Sequence, residues 1–398
     1  MPVRRGRELL QLPGPTNVPD RVLRAMARPL VDFASPGFTS MARGCLDDLR
    51  AVFRTRGEVF AYVALGHATW EAAIANLVSP GEAVLVPDTG MFARRWREAA
   101  EGLGVEVVGL PAEWRRAVDP ATVEDALRRD EGRRIKAVFQ VHVETSTGVA
   151  HDVAAVRRAI DRAGHPALLV VDAIASLAVM DLPMDEAGAD VVLAASQKGL
   201  MLPPGMGFVA VGERARRAAE RGGTPRRYWD WASRRGDQAY MWFCGTPPVS
   251  MLFGLREALD MLLEEGLPAV FARHRRLAGA ARGAVARWAE AGALGFYALD
   301  PAARSDAVTA VLFAEGGDPD AVRLLCRDEL GVAFGGGLGP LAGRVLRVGH
   351  LGDLNEPMLL GALGALEVAM RRRAVPLGEG GLAAAVASLA GDGEPGAP

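Results

Sequence analysis

Seven short apolar runs alternate with longer amphipathic segments between residues 59 and 211, and this rhythm constrains the fold more than any other feature. The segments between the runs, such as HDVAAVRRAIDRAG at 151, carry apolar residues at helical spacing. Alternating strands and helices predict an α/β fold, in which right-handed crossovers build a mostly parallel seven-stranded sheet with helices on both faces. The predicted strands are VFAYVAL at 59, AVLVPD at 83, VEVVGL at 105, AVFQVHV at 137, ALLVVDA at 167, DVVLAAS at 190 and MGFVAVG at 206.

A smaller α+β domain is expected after this sheet. The chain is rich in Arg and Trp from 212 to 245, without aliphatic periodicity, which indicates a long excursion. A helical stretch at 249 then leads to expected strands at 307–313 and 344–350 and helices at 318–330 and 356–372. We therefore expect an N-terminal segment at 1–20, a large domain at 21–264, a small C-terminal domain at 265–380 and a disordered tail at 381–398.

Composition argues against several kinds of partner. Forty-six basic and 48 acidic residues leave a net charge of −2, which offers no strong field for nucleic acid or an anionic membrane. No window has the length of a secretory signal core or a membrane span, so we expect a cytoplasmic protein. Cys45, Cys244 and Cys326 lack CxxC spacing, which suits reduced thiols and predicts no cysteine-based metal site.

Lysine is almost absent from the chain. Among the 46 basic residues only Lys136 and Lys198 are lysines. Arginine serves as a solvated charge but cannot lose its proton and attack a carbonyl, so a retained lysine is a candidate for covalent chemistry. Lys136 lies among charged neighbours and is expected at the surface, whereas Lys198 directly follows a predicted buried strand.

Asp172 and Lys198 end consecutive predicted strands and should meet at one edge of the sheet. A carboxylate behind the apolar run LLVV needs a partner, and burial would lower the pKa of the lysine towards that of a nucleophile. Pyridoxal phosphate would provide a partner for both side chains, because a lysine binds its aldehyde and a carboxylate keeps its pyridine nitrogen protonated. A simple salt bridge between the two side chains is the alternative, and these two residues alone leave both open.

Five ordered segments resemble the class V, fold-type-I aminotransferases of the alanine–glyoxylate and serine–glyoxylate group. The resemblance runs from GPTNVP at 14 to GHLGDLNE at 349. It implies a homodimeric, pyridoxal phosphate-dependent enzyme that moves an amino group from serine or alanine to glyoxylate or pyruvate. The segments are LGHATWEAAIANLVSPGEAVLV at 65, VHVETSTGV at 141, VVDAIASL at 170, AASQKGLMLPPGMGF at 194 and GGGLGPLAGRVLRVGHLGDLNE at 335.

The same resemblance assigns roles to individual residues. Leu65 stands where relatives often have Ser or Thr, and Phe243 stands where some have Tyr, so two family hydroxyls are missing here. Arg347 lies between apolar residues of a predicted strand and is expected to face inwards, paired with an anion. The implied roles are the Schiff base for Lys198, the pyridine nitrogen for Asp172, the ring hydroxyl side for Thr145, ring stacking for Phe92, the phosphate for Gly66, His67 and Gln197, the phosphate of the neighbouring subunit for Thr246, and the substrate carboxylate for Arg347.

Other functions are compatible with parts of this pattern. Pyridoxamine–pyruvate and 2-aminoethylphosphonate aminotransferases look similar at this level, and a catalytically silent binding protein could retain the fold. The G-x-G-x-x-A spacing at 337 lies outside any βαβ unit and does not indicate a dinucleotide site. Cys326, which a cysteine desulfurase would need on a loop, lies in a helical pattern, and Trp96 is expected to pack in the core.

Overall fold

The computed structural model describes residues 6–391 and contains the predicted seven-stranded sheet. Only Met206–Val211 runs antiparallel to its neighbours. The strands Leu168–Asp172 and Val191–Ala195 are buried throughout, as expected for parallel strands covered on both faces. In spatial order the strands are Glu58–Val63, Met206–Val211, Val191–Ala195, Leu168–Asp172, Ile135–Val141, Ala83–Asp88 and Glu106–Pro111.

Helices cover both faces of this sheet, which confirms the predicted layering. Each face has its own apolar core, because the side chains of every strand alternate between the two sides. One core includes the helices Asp20–Met26, Pro36–Phe53, Pro120–Arg129, Val153–Arg162, Met184–Ala187, Ala239–Trp242 and Val249–Glu265. The other core includes Gly66–Leu77, Met91–Gly102 and Glu213–Ala219.

A second sheet of five strands lies in the C-terminal part of the chain, and its first strand comes from the N-terminus. Leu9–Gln11 pairs in parallel with Val332–Gly336, so the expected N-terminal segment completes the smaller sheet. The spatial order is Leu9–Gln11, Val332–Gly336, Val345–Gly349, Val308–Phe313 and Leu294–Phe296. The helices around it are Leu267–Ala289, Pro319–Glu329, Glu356–Arg372 and Gly381–Gly391.

One expectation needs correction, and one segment is packed more deeply than its composition indicates. Residues 381–391 of the expected disordered tail form a helix, because its Leu382, Ala385 and Leu389 join the apolar core of the small sheet. Residues 392–398 of that tail lie outside the described part of the chain. The excursion at 212–245 also contributes to the core, since Trp231 and Phe243 are only 2% exposed.

No helix within residues 6–391 combines the length and the apolar character needed to cross a bilayer. The same residues contain no cluster of His, Cys, Asp and Glu side chains suited to bind a metal ion.

Candidate active site

A cavity of about 130 Å³ lies where the strands Ile135–Val141, Leu168–Asp172 and Val191–Ala195 end. The carboxyl ends of parallel strands are the usual ligand site of such sheets. All predicted site residues except Thr246 and Arg347 line this cavity. Its walls are formed by Gly66, His67, Trp70, Phe92, Val141, Val143, Thr145, Asp172, Ile174, Ala175, Gln197 and Lys198.

Lys198 follows the strand Val191–Ala195 and presents its amine to the cavity. Its Nζ donates a hydrogen bond to the carbonyl oxygen of Pro13. Burial lowers the pKa of Lys198 to about 8, and the positive charge of Arg347 acts in the same direction, whereas Asp172 opposes both. The uncharged, nucleophilic form of this amine is therefore far more populated near neutral pH than in an ordinary lysine with a pKa of about 10.4.

Asp172 is 4% exposed and has a hydrogen-bond donor at each carboxylate oxygen. The backbone N–H of Ile174 donates to Oδ1 and the indole Nε1 of Trp70 donates to Oδ2, both at 2.8 Å. Burial raises the pKa of Asp172 to about 6, and these two hydrogen bonds oppose the shift. Each oxygen retains acceptor capacity towards the cavity.

No ion pair joins Lys198 to Asp172 within residues 6–391. The ammonium contacts a backbone carbonyl and the carboxylate contacts two N–H donors. The alternative interpretation, a simple salt bridge between Lys198 and Asp172, is therefore wrong. A half-buried amine and a buried carboxylate that line one cavity without pairing with each other are typical of a functional site.

The helix Gly66–Leu77 points its N-terminus at the cavity. Its N-cap residue, Leu65, provides no side-chain hydrogen bond, so the first N–H groups of the helix remain available to an anion. Burial lowers the pKa of His67, and the nearby charge of Arg95 lowers it further. The amide oxygen of Gln197 is buried without a hydrogen-bond partner among residues 6–391. The free N–H groups of the helix fit a phosphate better than a cation, and Gln197 would face such an anion with its Nε2 donor once its amide is rotated.

Phe92 is fixed by a carboxylate that sequence reasoning missed. The buried Glu144 accepts hydrogen bonds from the backbone N–H of Phe92 at 3.0 Å and of Ala93 at 3.3 Å, at the start of the helix Met91–Gly102. Ser146 donates to it through both its backbone N–H at 3.0 Å and its hydroxyl at 2.6 Å. A Cβ atom at Gly90 would collide with the Glu144 side chain, which explains the glycine there. The signal in the sequence that could have identified Glu144 is its position directly after the apolar run that begins at 137.

Arg347 lies on the strand Val345–Gly349 and is 8% exposed, which confirms its inward orientation. Its Nε donates to the carbonyl oxygen of Gly336 at 2.8 Å, and its Nη1 donates to that of Thr145 at 3.0 Å. Nη2 has no hydrogen-bond partner in the described range. The guanidinium is thus held by two neutral acceptors while one edge remains free for a carboxylate. Burial lowers the pKa of Arg347 to about 10, and Glu144 opposes that shift.

A loop near the N-terminus forms part of the lysine's environment, which the sequence did not indicate. Thr16 donates from its hydroxyl to the carbonyl oxygen of Lys198 and from its N–H to that of Gln197, both at 3.2 Å. Gly14 has a φ of +115°, and a Cβ atom there would collide with the Lys198 side chain. The backbone conformation at position 14 therefore favours glycine, and any other residue would also displace the end of the Lys198 side chain.

Thr246 does not join the cavity of its own chain, and its side chain is exposed. Phe243, three residues earlier, is buried in the core. Lys136 is partly exposed with its Nζ 3.7 Å from a carboxylate oxygen of Glu82, so its expected surface position is correct.

Two further expectations about packing are correct. Trp96 is fully buried and stacks on Phe139 with ring centroids 4.5 Å apart. Cys326 is buried in the helix Pro319–Glu329, and burial raises the pKa of its thiol to about 12, which disfavours the reactive thiolate.

Comparison with known proteins places these features in a family. The family model "Aminotransferase class-V" matches residues 55–341. The serine–glyoxylate aminotransferase of Methylorubrum extorquens is 42% identical over 97% of this chain and 96% of its own length. The L-aspartate–glyoxylate aminotransferase of Paracoccus denitrificans is 39% identical over 94% of each chain. The crystal structure of pyridoxamine–pyruvate aminotransferase from Mesorhizobium loti superimposes with a TM-score of 0.89 at 28% identity, covering 98% of this chain and 99% of that one. The chain therefore belongs to the class V aminotransferases and has their mixed α/β fold.

Proposed function

We propose that this aminotransferase uses pyridoxal phosphate to move an amino group from a small amino acid, serine or alanine, to glyoxylate or pyruvate. The observation that carries the proposal is a lysine with a pKa lowered to about 8 in one cavity with a buried carboxylate that is not its ion-pair partner. The choice of amino acid is supported by the names of the relatives described above, one of which acts on serine and glyoxylate.

The residues around the cavity suit the cofactor. When bound, pyridoxal phosphate supplies an electron-withdrawing ring that stabilises negative charge at the substrate α-carbon. Asp172 would hold the pyridine nitrogen protonated through a carboxylate oxygen. The helix N-terminus at Gly66 and His67 would bind the phosphate through backbone N–H groups, and its dipole favours that charge.

Three other side chains would orient the cofactor. Phe92 would stack on the ring, because Glu144 fixes its backbone at the cavity wall. Thr145 would lie on the ring hydroxyl side. Gln197 can rotate its amide without losing a hydrogen bond within residues 6–391, and would then donate from Nε2 to the phosphate.

Lys198 would act twice. Its Nζ would be the covalent attachment point of the cofactor while no substrate is bound. With substrate bound, the same amine would be placed to take the proton from the substrate α-carbon and pass it to the cofactor, as a general base and acid. An amine with a pKa near 8 is suited to both directions of this transfer.

Arg347 would bind the substrate α-carboxylate. The two carbonyl oxygens that hold Nε and Nη1 orient the guanidinium plane, so Nη2 and the remaining N–H of Nη1 can form a two-point contact. The same residue would bind the carboxylate of the keto acid in the second half of the reaction.

We further propose a homodimer in which Thr246 of one subunit reaches the cofactor phosphate of the other. The exposure of Thr246 and its position outside the cavity of its own chain are compatible with that role. The two sites of such a dimer would be composite.

Single-turnover spectroscopy of the purified holoenzyme tests the activity. Serine and alanine should convert the bound cofactor to its aminated form, and glyoxylate or pyruvate should restore the original spectrum. Pyridoxamine and 2-aminoethylphosphonate serve as competing donors in the same panel. Conversion by those amines alone would assign a different donor, and no spectral change with any amine would indicate a silent binding protein.

A further inference from the structure

Trp70 donates the side-chain hydrogen bond to Asp172, and its place in the structure restricts that bond to one geometry. The residue is 1% exposed and lies in the second turn of the helix Gly66–Leu77, whose N-terminus faces the cavity. Its Nε1 is 2.8 Å from Oδ2 of Asp172. One buried hydrogen bond thus joins the helix Gly66–Leu77 to the end of the strand Leu168–Asp172 at the cavity wall.

Aromatic neighbours fix the indole ring. Trp70 stacks on Trp96 with centroids 5.9 Å apart and planes at 15°, and Trp96 stacks on Phe139 at 4.5 Å and 9°. His67 lies at 4.4 Å with its ring at 71° to that of Trp70. A side chain in contact with rings on more than one side cannot rotate its N–H away from the carboxylate without disturbing the stack.

The hydrogen bond matters because Asp172 is deeply buried. Burial raises the pKa of its carboxyl to about 6, so a small further rise would protonate much of the carboxyl at neutral pH. A donor stabilises the ionised form relative to the protonated one. An indole N–H does so without a positive charge, so it does not compete electrostatically with a protonated ring nitrogen for the same carboxylate.

We propose that Trp70 is a positioning residue for the reaction: its N–H keeps Asp172 ionised and turned towards the cofactor's pyridine nitrogen. The proposal rests on the role given to Asp172 under Proposed function. Trp70 acts through Asp172 and has no assigned contact with the substrate.

Trp96 provides a matched control. Both tryptophans are buried in the same stack, but the Nε1 of Trp96 has no hydrogen-bond partner within residues 6–391. Trp70→Phe and Trp96→Phe therefore remove similar volumes from one cluster, and only the first removes a hydrogen bond to Asp172. If Trp70→Phe does not give folded protein, Trp70→Met fills the space without a donor.

Three measurements on the purified enzyme separate the possibilities. They are the affinity of apoenzyme for pyridoxal phosphate, the pH dependence of the absorbance of the bound cofactor, and the pH profile of kcat/KM. In Trp70→Phe the acid limb of both pH profiles should move to higher pH by about half a unit to one unit, because loss of a donor raises the pKa of Asp172. Cofactor affinity should fall several-fold. Trp96→Phe should leave the pH profiles in place.

Equal effects of the two substitutions would show that Trp70 only packs, and an unshifted acid limb in Trp70→Phe would overturn the proposal outright. Asp172→Asn tests the assumption beneath it. If Asp172→Asn lowers turnover strongly while Trp70→Phe does nothing, the proposal for Trp70 fails alone. If Asp172→Asn also leaves turnover and cofactor spectrum unchanged, the role of Asp172 is wrong and the proposal for Trp70 is rejected with it.

Discussion

The two lysines of the chain occupy opposite environments. Lys198 lines a cavity with a lowered pKa, whereas Lys136 is partly exposed near Glu82. Lys198→Ala should therefore abolish the cofactor that borohydride reduction fixes to the protein, and Lys136→Arg should leave it intact. Peptide mapping of the reduced holoenzyme measures this directly. Cofactor attached at Lys136 would show that the site is assigned to the wrong lysine.

Substitution of Arg347 tests whether the substrate carries a carboxylate. Arg347→Ala should lower kcat/KM for serine or alanine by a few hundredfold or more, because an unpaired substrate charge in a buried site costs roughly 3–5 kcal/mol. Arg347→Lys should recover little, since an ammonium lacks the planar fork. Arg115 is a suitable control, because it also donates to two carbonyl oxygens, but those belong to Tyr297 and Phe296, which do not line the cavity. Arg347 instead contacts Thr145, which does line it.

An amine without a carboxylate completes this test. Its turnover, however slow, should depend far less on Arg347, because the guanidinium then has no partner on the substrate. Equal losses for donors with and without a carboxylate would mean that Arg347 only supports the carbonyl oxygens of Gly336 and Thr145.

Sequence patterns predicted which residues meet at the cavity but not the residues that hydrogen-bond to them. Asp172 and Lys198 were predictable because strand ends meet at one edge of a parallel sheet. The hydrogen bond from Trp70 joins residues that are 102 positions apart, and no periodicity encodes such a contact. The position of Pro13 against Lys198 was equally hidden, since its 185-residue separation is bridged only in the folded chain.

At the scale of elements, strands of five to seven residues were predictable except for one rich in glycine, and shorter strands were not. The long central strands have continuous apolar runs, whereas Leu9–Gln11 and Leu294–Phe296 have three residues each and no detectable pattern. Val332–Gly336 was missed because two of its five residues are glycine. The helix Gly381–Gly391 was missed because its Ala- and Gly-rich composition resembles a linker, although its apolar face packs on the small core.

The start of the helix Met91–Gly102 depends on Glu144. Glu144→Gln replaces one of two accepting oxygens by an NH2 group, so a pair of buried donors loses its acceptor, and the free energy of unfolding should fall by on the order of 2 kcal/mol. Urea unfolding measures the loss. Glu98→Gln, on the exposed face of the same helix, should change stability by less than about 0.5 kcal/mol. Equal stability of the two variants would contradict the capping role.

At the scale of the whole molecule, the proposed dimer makes a prediction about mixed subunits. In a heterodimer of Lys198→Ala and Thr246→Ala chains, one composite site carries both substitutions and the other carries neither. Mixing the two inactive or weakly active proteins and allowing subunit exchange should therefore restore part of the activity. Each variant alone at the same total concentration is the control. A fully active monomer in sedimentation experiments would reject the composite site.

The histidines of the chain link its stability to pH. Burial lowers the pKa of His142 to about 4 and of His151, His274 and His350 to about 3. His274 also accepts a hydrogen bond from the N–H of Gly352 at 3.1 Å, which a protonated ring cannot do.

These four groups bind protons in the unfolded chain at a pKa near 6.5 but not in the folded one. Their contribution to stability is therefore complete above pH 6.5 and is lost as pH falls towards 4 and then 3. Asp172 acts in the opposite sense. Its pKa is raised to about 6, so between pH 6 and 4 the folded state binds a proton that the unfolded state does not, which increases stability as the pH falls. Burial also raises the pKa of Glu144, Asp190 and Asp353, which act in the same sense as Asp172. The slope of the free energy of unfolding between pH 6.5 and 4 is therefore the difference between the histidine contribution and that of these carboxyls.

His274→Gln measures how much one of these histidines contributes to the pH dependence of stability. It should lower stability at pH 7, because a buried hydrogen-bonded ring is lost, but it should also reduce the pH dependence by about 1.4 kcal/mol per pH unit between pH 6 and 4. His67→Gln is the control, because His67 is more exposed and its pKa is lowered less deeply than that of the buried rings. Urea unfolding at a series of pH values gives both slopes. An unchanged slope in His274→Gln would mean that this ring is already charged in the folded protein, which its contact with the N–H of Gly352 argues against.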